Sequence, residues 1–202
     1  MPDFSIEKAK NALGYINVCG IDEAGRGPLC GPVVAAACIL PLDVDIPRLN
    51  DSKKLSPRVR QALFDEIREK AVAYSIGYGT VEEIDRYNIL EATLLAMRRA
   101  VDGLEIPPDY LLVDGNIFRD FDLPGESVIK GDATSSSIAA ASILAKVTRD
   151  MLCDELDAIY PEYGIKQHKG YGTKAHMDAL RKYGPTPCHR KQFIRFLDNK
   201  TI

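Results

Sequence analysis

The sequence has no tryptophan, so its core must rest on aliphatic side chains with 6 phenylalanines and 9 tyrosines. It has only 3 histidines, which show no metal-ligand spacing, and 5 cysteines, an odd number at wide spacing with no Cys-x-x-Cys pair. That pattern argues against both a disulfide framework and a zinc site. Reduced thiols in a cytoplasmic protein are the simple reading, with Cys30 a small buried hydrophobe. Long hydrophobic runs are missing too. The most apolar stretch, residues 32–42, is too short to cross a bilayer. Residues 1–10 alternate in charge without an apolar segment, unlike a signal peptide. No membrane association is expected.

An excess of positive charge is also absent: 26 Lys and Arg face 29 Asp and Glu, for a net charge of −3. The distribution is uneven. Acid is concentrated before about residue 160. Later come Lys166, Lys169, Lys174, Arg181, Lys182, Arg190, Lys191 and Arg195, opposed in that stretch only by Asp178. A basic segment on an acidic body suits a local phosphate footprint, with a solvated helix surface as the plainer alternative. The chain length fits one compact domain, expected over residues 1–202, with about 161–202 as a basic helical extension.

What is present is most informative at residues 18–28. Val18-Cys19-Gly20-Ile21-Asp22-Glu23 reads as a hydrophobic strand ending in two carboxylates, followed at once by Ala24-Gly25-Arg26-Gly27-Pro28. Carboxylates at a strand end suit a hard divalent cation. Glycines let backbone groups approach a ligand closely, and an arginine adds a bidentate phosphate donor. Together they point to phosphodiester chemistry, with a plain tight turn as the alternative for Gly25-Arg26-Gly27.

Further strands are expected at 33–40, 73–79 and 110–114. Helices are expected from the Ser56-Pro57 cap, at 81–87 after the Thr80/Glu83 capping box, at 89–104, from Asp132 or one of Ser135 to Ser137 to about 159, at 173–183, and at 190–197. Residues 1–17 read as a tail or strand lead-in. Early antiparallel strands followed by strand–helix alternation give a mixed α/β sheet.

Asp22 and Asp114 each end an apolar strand. If those strands are adjacent and parallel, both carboxylates emerge at one edge; ordinary turn capping is the alternative. Successive strand residues face opposite sides, so Asp22 and Glu23 can share a site only if the strand breaks between them or if Glu23 acts through its backbone carbonyl. Asp132 has the position of a helix N-cap as well as that of a further acidic ligand. Lys53 and Lys54 are candidate phosphate contacts. Lys146 and Arg149 read mainly as surface residues. Tyr171, flanked by glycines beside Lys169, suits stacking on a nucleic-acid unit. His168 is placed near the substrate, and His176 and His189 are structural or surface.

Five segments in order carry a resemblance: Asp22-Glu23-Ala24-Gly25-Arg26-Gly27, Asp51-Ser52-Lys53-Lys54-Leu55-Ser56, Val113-Asp114-Gly115, Lys130-Gly131-Asp132-Ala133 and His168-Lys169-Gly170-Tyr171-Gly172-Thr173. From about Cys19 to Phe193 the chain resembles the ribonuclease HII family. The resemblance implies a ribonuclease H-like α/β fold, with a five-stranded mixed sheet flanked by helices and a helical C-terminal extension. It makes Asp22, Glu23, Asp114 and Asp132 the catalytic metal ligands for Mg²⁺ or Mn²⁺. Gly25, Arg26 and Gly27 become ribose readers, Lys53, Lys54 and Lys169 substrate contacts, and Tyr171 a platform for the sugar on the deoxy side. The implied activity is cleavage of the RNA strand of RNA–DNA hybrids and incision 5′ to single ribonucleotides in duplex DNA, leaving 3′-hydroxyl and 5′-phosphate ends. A monomer is expected. Ribonuclease HIII is disfavoured because the short N-terminus leaves no room for its extra domain. A resolvase-like nuclease acting on DNA and a non-catalytic hybrid-binding protein compete with this reading. A sliding-clamp contact through residues 192–196 matches poorly, since Arg195 sits where an apolar residue is expected.

Overall fold

The computed structural model describes residues 1–197. The last five positions of the expected domain and of its C-terminal extension lie outside the described residues. Five strands form one mixed sheet: Val18–Ala24 (β1), Val33–Ile39 (β2), Ala73–Gly79 (β3), Tyr110–Asp114 (β4) and Gly125–Val128 (β5), in the order β3-β2-β1-β4-β5. β2 lies antiparallel to both β1 and β3, while β4 runs parallel to β1 and to β5. β2 is buried at every position, which explains its unbroken apolar run: helices cover both faces of the sheet.

Seven α-helices are present among the described residues: Ser5–Asn11 (α1), Pro57–Lys70 (α2), Val81–Tyr87 (α3), Ile89–Asp102 (α4), Ser136–Ile159 (α5), Ile165–His168 (α6) and Lys174–Tyr183 (α7). On one face, Cys19, Ile21, Val33, Ala35 and Ala37 pack against Ala92, Ala96 and Met97 of α4. On the other, Ala36 and Cys38 meet Ala140, Ile143 and Leu144 of α5 together with Leu63 and Ile67 of α2. α5 comes close because β1 carries Gly20: a Cβ there would lie 2.1 Å from the carbonyl carbon of Ser137. No helix of the described residues is long and apolar enough to cross a membrane.

The caps explain several boundaries. Ser56 Oγ accepts from the Val59 N–H at 3.4 Å, and the Thr80/Glu83 capping box closes in both directions at 3.2 and 2.9 Å. Ser135 Oγ accepts from the Ile138 N–H at 3.2 Å and so caps α5. Asp132 therefore is not that helix's cap; it sits in a separate 3₁₀ turn, Gly131–Ala133.

Three expectations need correction. Part of the supposed N-terminal tail is α1, held by buried Glu7, which accepts from Ser135 Oγ at 2.7 Å and from the Ser137 N–H at 2.9 Å. β5 is an edge strand that the sequence pattern does not mark. The last helical piece is two 3₁₀ turns, Lys191–Phe193 and Arg195–Leu197.

Candidate active site

Val113 of β4 pairs with Ile21 of β1 in parallel register. The next residue of each strand, Asp114 and Asp22, is therefore delivered to the same carboxyl edge of the sheet. The turn after β5 brings in Asp132, and carboxylate oxygens of Asp22, Asp114 and Asp132 lie within 4.8 Å of one another. Asp114 Oδ1 accepts from the Gly131 N–H at 2.7 Å, which pins that turn. Asp22 Oδ1 accepts from the Glu23 N–H at 2.7 Å.

Two of the three are buried, Asp114 is half-buried, and the group is short of positive charge. Asp22 is 4% and Asp132 7% exposed. Burial, with Glu23 and Asp114 beside it, holds the Asp22 carboxyl well above the ordinary carboxylate range. Burial raises Asp132 as well, with Asp114 and Asp51 adding to the effect. Among the described residues the cation paired with the trio is Lys53, whose Nζ lies 3.7 Å from Asp132 Oδ2 and whose side chain is 77% exposed. Three clustered carboxylates, with Asp22 and Asp132 resisting ionisation, fit a hard divalent ion, which would relieve their repulsion.

The Glu23 carboxylate lies outside this close group. β1 remains paired through Ala24, so of the two routes by which Glu23 could share the site, a strand break is excluded and the backbone carbonyl remains. The Glu23 carboxylate instead meets Arg26 Nη1 at 3.3 Å. Burial raises its titration, while Arg26 draws it down.

Beside the acids lies a cleft of about 260 Å³ whose lining includes Gly25, Arg26, Gly27, Lys53, Lys169 and Tyr171. Gly25 has φ +95°, a left-handed conformation that a side chain would strain, and a Cβ there would lie 2.6 Å from Arg149 Nε. Tyr171 is 49% exposed, and its ring edge is 3.5 Å from where a Gly27 Cβ would be. Backbone of the glycine loop and the Tyr171 ring thus border the same space. Lys54 turns away to Asp51 at 3.8 Å, and Lys174 pairs with Asp178 on α7 at 2.7 Å.

The ribonuclease HII family model matches residues 19–196. The chain belongs to the ribonuclease HII family. A ribonuclease HII of Desulfitobacterium hafniense (strain DSM 10664 / DCB-2) is 56% identical over 180 residues, which are 89% of this chain and 69% of that protein. The ribonuclease H2 structure from Pyrococcus horikoshii OT3 superposes with a TM-score of 0.75 at 29% identity, covering 92% of this chain and 98% of that one. The RNase HII of an Archaeoglobus fulgidus PCNA:RNase HII complex gives 0.68 at 25% identity, covering 88% and 95%. Family membership makes this protein a metal-dependent endoribonuclease acting on RNA–DNA hybrids.

Sequence reasoning misplaced the arginines around this ribonuclease HII cleft. Arg149 is 2% exposed and lines the cleft from α5. Its Nη2 donates to the Cys30 carbonyl at 2.9 Å, it also contacts Cys153 Sγ, and its Nε has no hydrogen-bond partner among the described residues. Arg190, counted among the basic surface, is fully buried. Its guanidinium donates to the carbonyls of Gly25, Arg26, Pro28 and Gly31 at 2.6, 2.9, 2.8 and 2.9 Å. Burial and the neighbouring Arg149 lower its titration to about 10. The readable signal was the loop itself: a tight glycine turn leaves carbonyls that must find donors. His176 and His189 are buried, as the structural reading requires.

Proposed function

We propose that this enzyme incises duplex DNA on the 5′ side of a single embedded ribonucleotide as well as cutting continuous hybrids, leaving 3′-hydroxyl and 5′-phosphate ends. The observation that carries the reading is the carboxylate trio beside a cleft bordered by the Gly25-Arg26-Gly27 backbone and the Tyr171 ring. Asp22, Asp114 and Asp132 would hold Mg²⁺ or Mn²⁺, with Glu23 at their margin. Bound there, a divalent cation supplies an activated water and charge compensation at the phosphate. The chain's own groups do the selecting. Backbone N–H and C=O groups of residues 25–27 pair with the 2′-hydroxyl, which is both donor and acceptor. Tyr171 offers a flat face to the following sugar, and Lys53 and Lys169 neutralise phosphates.

The same reading gives one catalytic domain over residues 1–202, with 161–202 as its helical extension. Packing of Tyr163, Ile165 and Leu180 with Cys153 of α5 supports it. It gives a monomer and a cytoplasmic role in ribonucleotide removal, the latter supported by 5 free cysteines. A sliding-clamp contact through residues 192–196 is less favoured, because Phe193, Ile194 and Phe196 pack inward.

The test is a duplex with one ribonucleotide, incubated with Mg²⁺, Mn²⁺ or EDTA beside its all-DNA counterpart. Metal-dependent cutting only of the ribose-containing duplex, with an upstream product that a DNA polymerase extends directly, is expected. Equal cutting of the all-DNA duplex would select a resolvase-like activity. Metal-independent binding without cleavage would select a hybrid-binding protein.

A further inference from the structure

His189 and Arg190 are adjacent and almost wholly buried, at 3% and 0% exposure, yet each reaches a different cleft-lining loop. Arg190 holds four carbonyls of the glycine loop and the turn after it. His189 acts through a relay whose proton positions follow from its ends. Its Nδ1 accepts from the Thr186 N–H at 3.1 Å, so in a neutral ring Nε2 carries the proton. That Nε2–H donates to His176 Nε2 at 3.1 Å. His176 in turn donates from Nδ1 to the Tyr171 carbonyl at 3.0 Å. His168 stacks on His176 with ring centroids 4.4 Å apart; its Nδ1 accepts from the Gly170 N–H at 3.2 Å and its Nε2 donates to the Tyr163 carbonyl at 2.9 Å. Each ring thus has one donating and one accepting nitrogen, and a backbone partner sets at least one of the two. The two loops also meet directly, through the Leu29 N–H and the Gly170 carbonyl at 2.8 Å.

We propose that His189 and Arg190 are positioning residues for sugar recognition: this one buried dipeptide fixes the distance and tilt between the Gly25-Arg26-Gly27 backbone and the Tyr171 ring. Neither side chain touches the substrate. The proposal rests on the functional reading above, because only a ribose read between those loops makes their spacing matter. Lysine cannot replace Arg190, since a compact ammonium cannot span carbonyls that a planar fork reaches in several directions. Glutamine can partly replace His189, because its amide nitrogen is a donor at a similar reach.

The same histidines bear on a competing idea. Cys30, His176 and His189 offer ligand atoms within 4.8 Å of one another, a set that could suit zinc. The relay opposes that use. To ligate through Nε2, neutral His189 would have to move its proton to Nδ1, against the Thr186 N–H.

Two measurements on the full-length protein test the proposal. Long-range ¹H–¹⁵N correlation reads the tautomers without reference to activity: protons on Nε2 of His189 and Nδ1 of His176 are expected. A proton on His176 Nε2, or stoichiometric zinc in the purified protein, would overturn it. Kinetics then compare H189L, H189Q and R190K on a duplex with one embedded ribonucleotide and on a continuous hybrid, with thermal melting alongside. H189L and R190K should lose about tenfold to a hundredfold in kcat on the embedded ribonucleotide, with a smaller loss on the hybrid and partial rescue in H189Q. Added to Y171A, H189L should cost little more, because it acts through Tyr171. Equal losses on both substrates, or full additivity with Y171A, would reduce the dipeptide to a structural role. If H189L does not fold, H189Q and R190K carry the comparison. A wild type that cuts no ribose-containing duplex would instead sink the functional reading and leave the tautomer result standing.

Discussion

Gly131 donates its backbone N–H to Asp114 Oδ1 at 2.7 Å, tying the turn that carries Asp132 to the end of β4. One carboxylate thus has two jobs: it contributes to the acidic trio and fixes the position of a second member. Asp114→Asn can keep the hydrogen bond through its amide oxygen, whereas Asp114→Ala cannot. Cleavage with Mg²⁺ or Mn²⁺ should fall on the order of 10²–10³-fold in Asp22→Asn and Asp114→Asn, since charge compensation worth several kcal/mol is lost. In saturating Mg²⁺, melting should not fall in either Asn variant and should drop only in Asp114→Ala. Retained cleavage in either Asn variant would remove that residue from the metal site.

A second outcome concerns the metal-free state. The Asp22 carboxyl titrates above its ordinary value of 3.8 because of burial and neighbouring acid. The folded protein therefore binds that proton more tightly than the unfolded chain does. The stabilisation is complete below the unfolded value and is lost as pH rises through the raised folded one. In EDTA, wild type should lose melting temperature relative to Asp22→Asn across that rise, and saturating Mg²⁺ should narrow the gap. Parallel melting curves at every pH would show that the repulsion is not felt.

Tyr171 provides a third. Its half-exposed ring should stack rather than hydrogen-bond, so Tyr171→Phe should keep most activity. Tyr171→Ala should lose roughly tenfold to a hundredfold, matching about 1–3 kcal/mol of stacking. The deficit should be larger on one embedded ribonucleotide than on a continuous hybrid. Wild-type-like cutting of the embedded ribonucleotide by the Ala variant would rule out a sugar-reading role.

Salt dependence sorts the lysines. Lys53 and Lys169 line the cleft, although Lys169 is paired with Asp154 at 2.6 Å. Lys174 has a 91% exposed side chain and belongs to α7. Replacing Lys53 or Lys169 by Ala should reduce the log–log salt slope of binding by roughly one unit, and replacing Lys174 should leave it unchanged. The reverse ranking would move the phosphate track onto α7.

Gly20→Ala should unfold the architecture rather than the chemistry. Its Cβ would sit 2.1 Å from backbone, a clash that side-chain repacking cannot relieve. A loss of at least about 3 kcal/mol is expected, or roughly 6–12 °C in melting temperature. A shift within a degree would mean that α5 can slide.

Strand ends carrying Asp22 and Asp114 were legible because apolar runs bounded by acid and glycine are local patterns. So were the Ser56 and Thr80 caps. β5 was not, since Gly125–Val128 is short, half-buried and edge-placed, with no alternation. α1 was hidden for another reason: its buried group is a glutamate, and the partners that justify burial lie at Ser135 and Ser137. Arg149 and Arg190 were misread because counting charge assigns arginine to the surface. A carbonyl-rich turn buried in the fold reverses that preference, and nothing local to Arg190 announces it.

The attachment of Glu7 also sets an order of events. Its backbone partner lies 130 residues downstream, and translation at about 5–20 residues per second separates the two ends of that contact by roughly 6–26 s. The first helix of the fold therefore leaves the ribosome early and docks late. Its bonds to Ser135 and Ser137 cannot form before α5 is made.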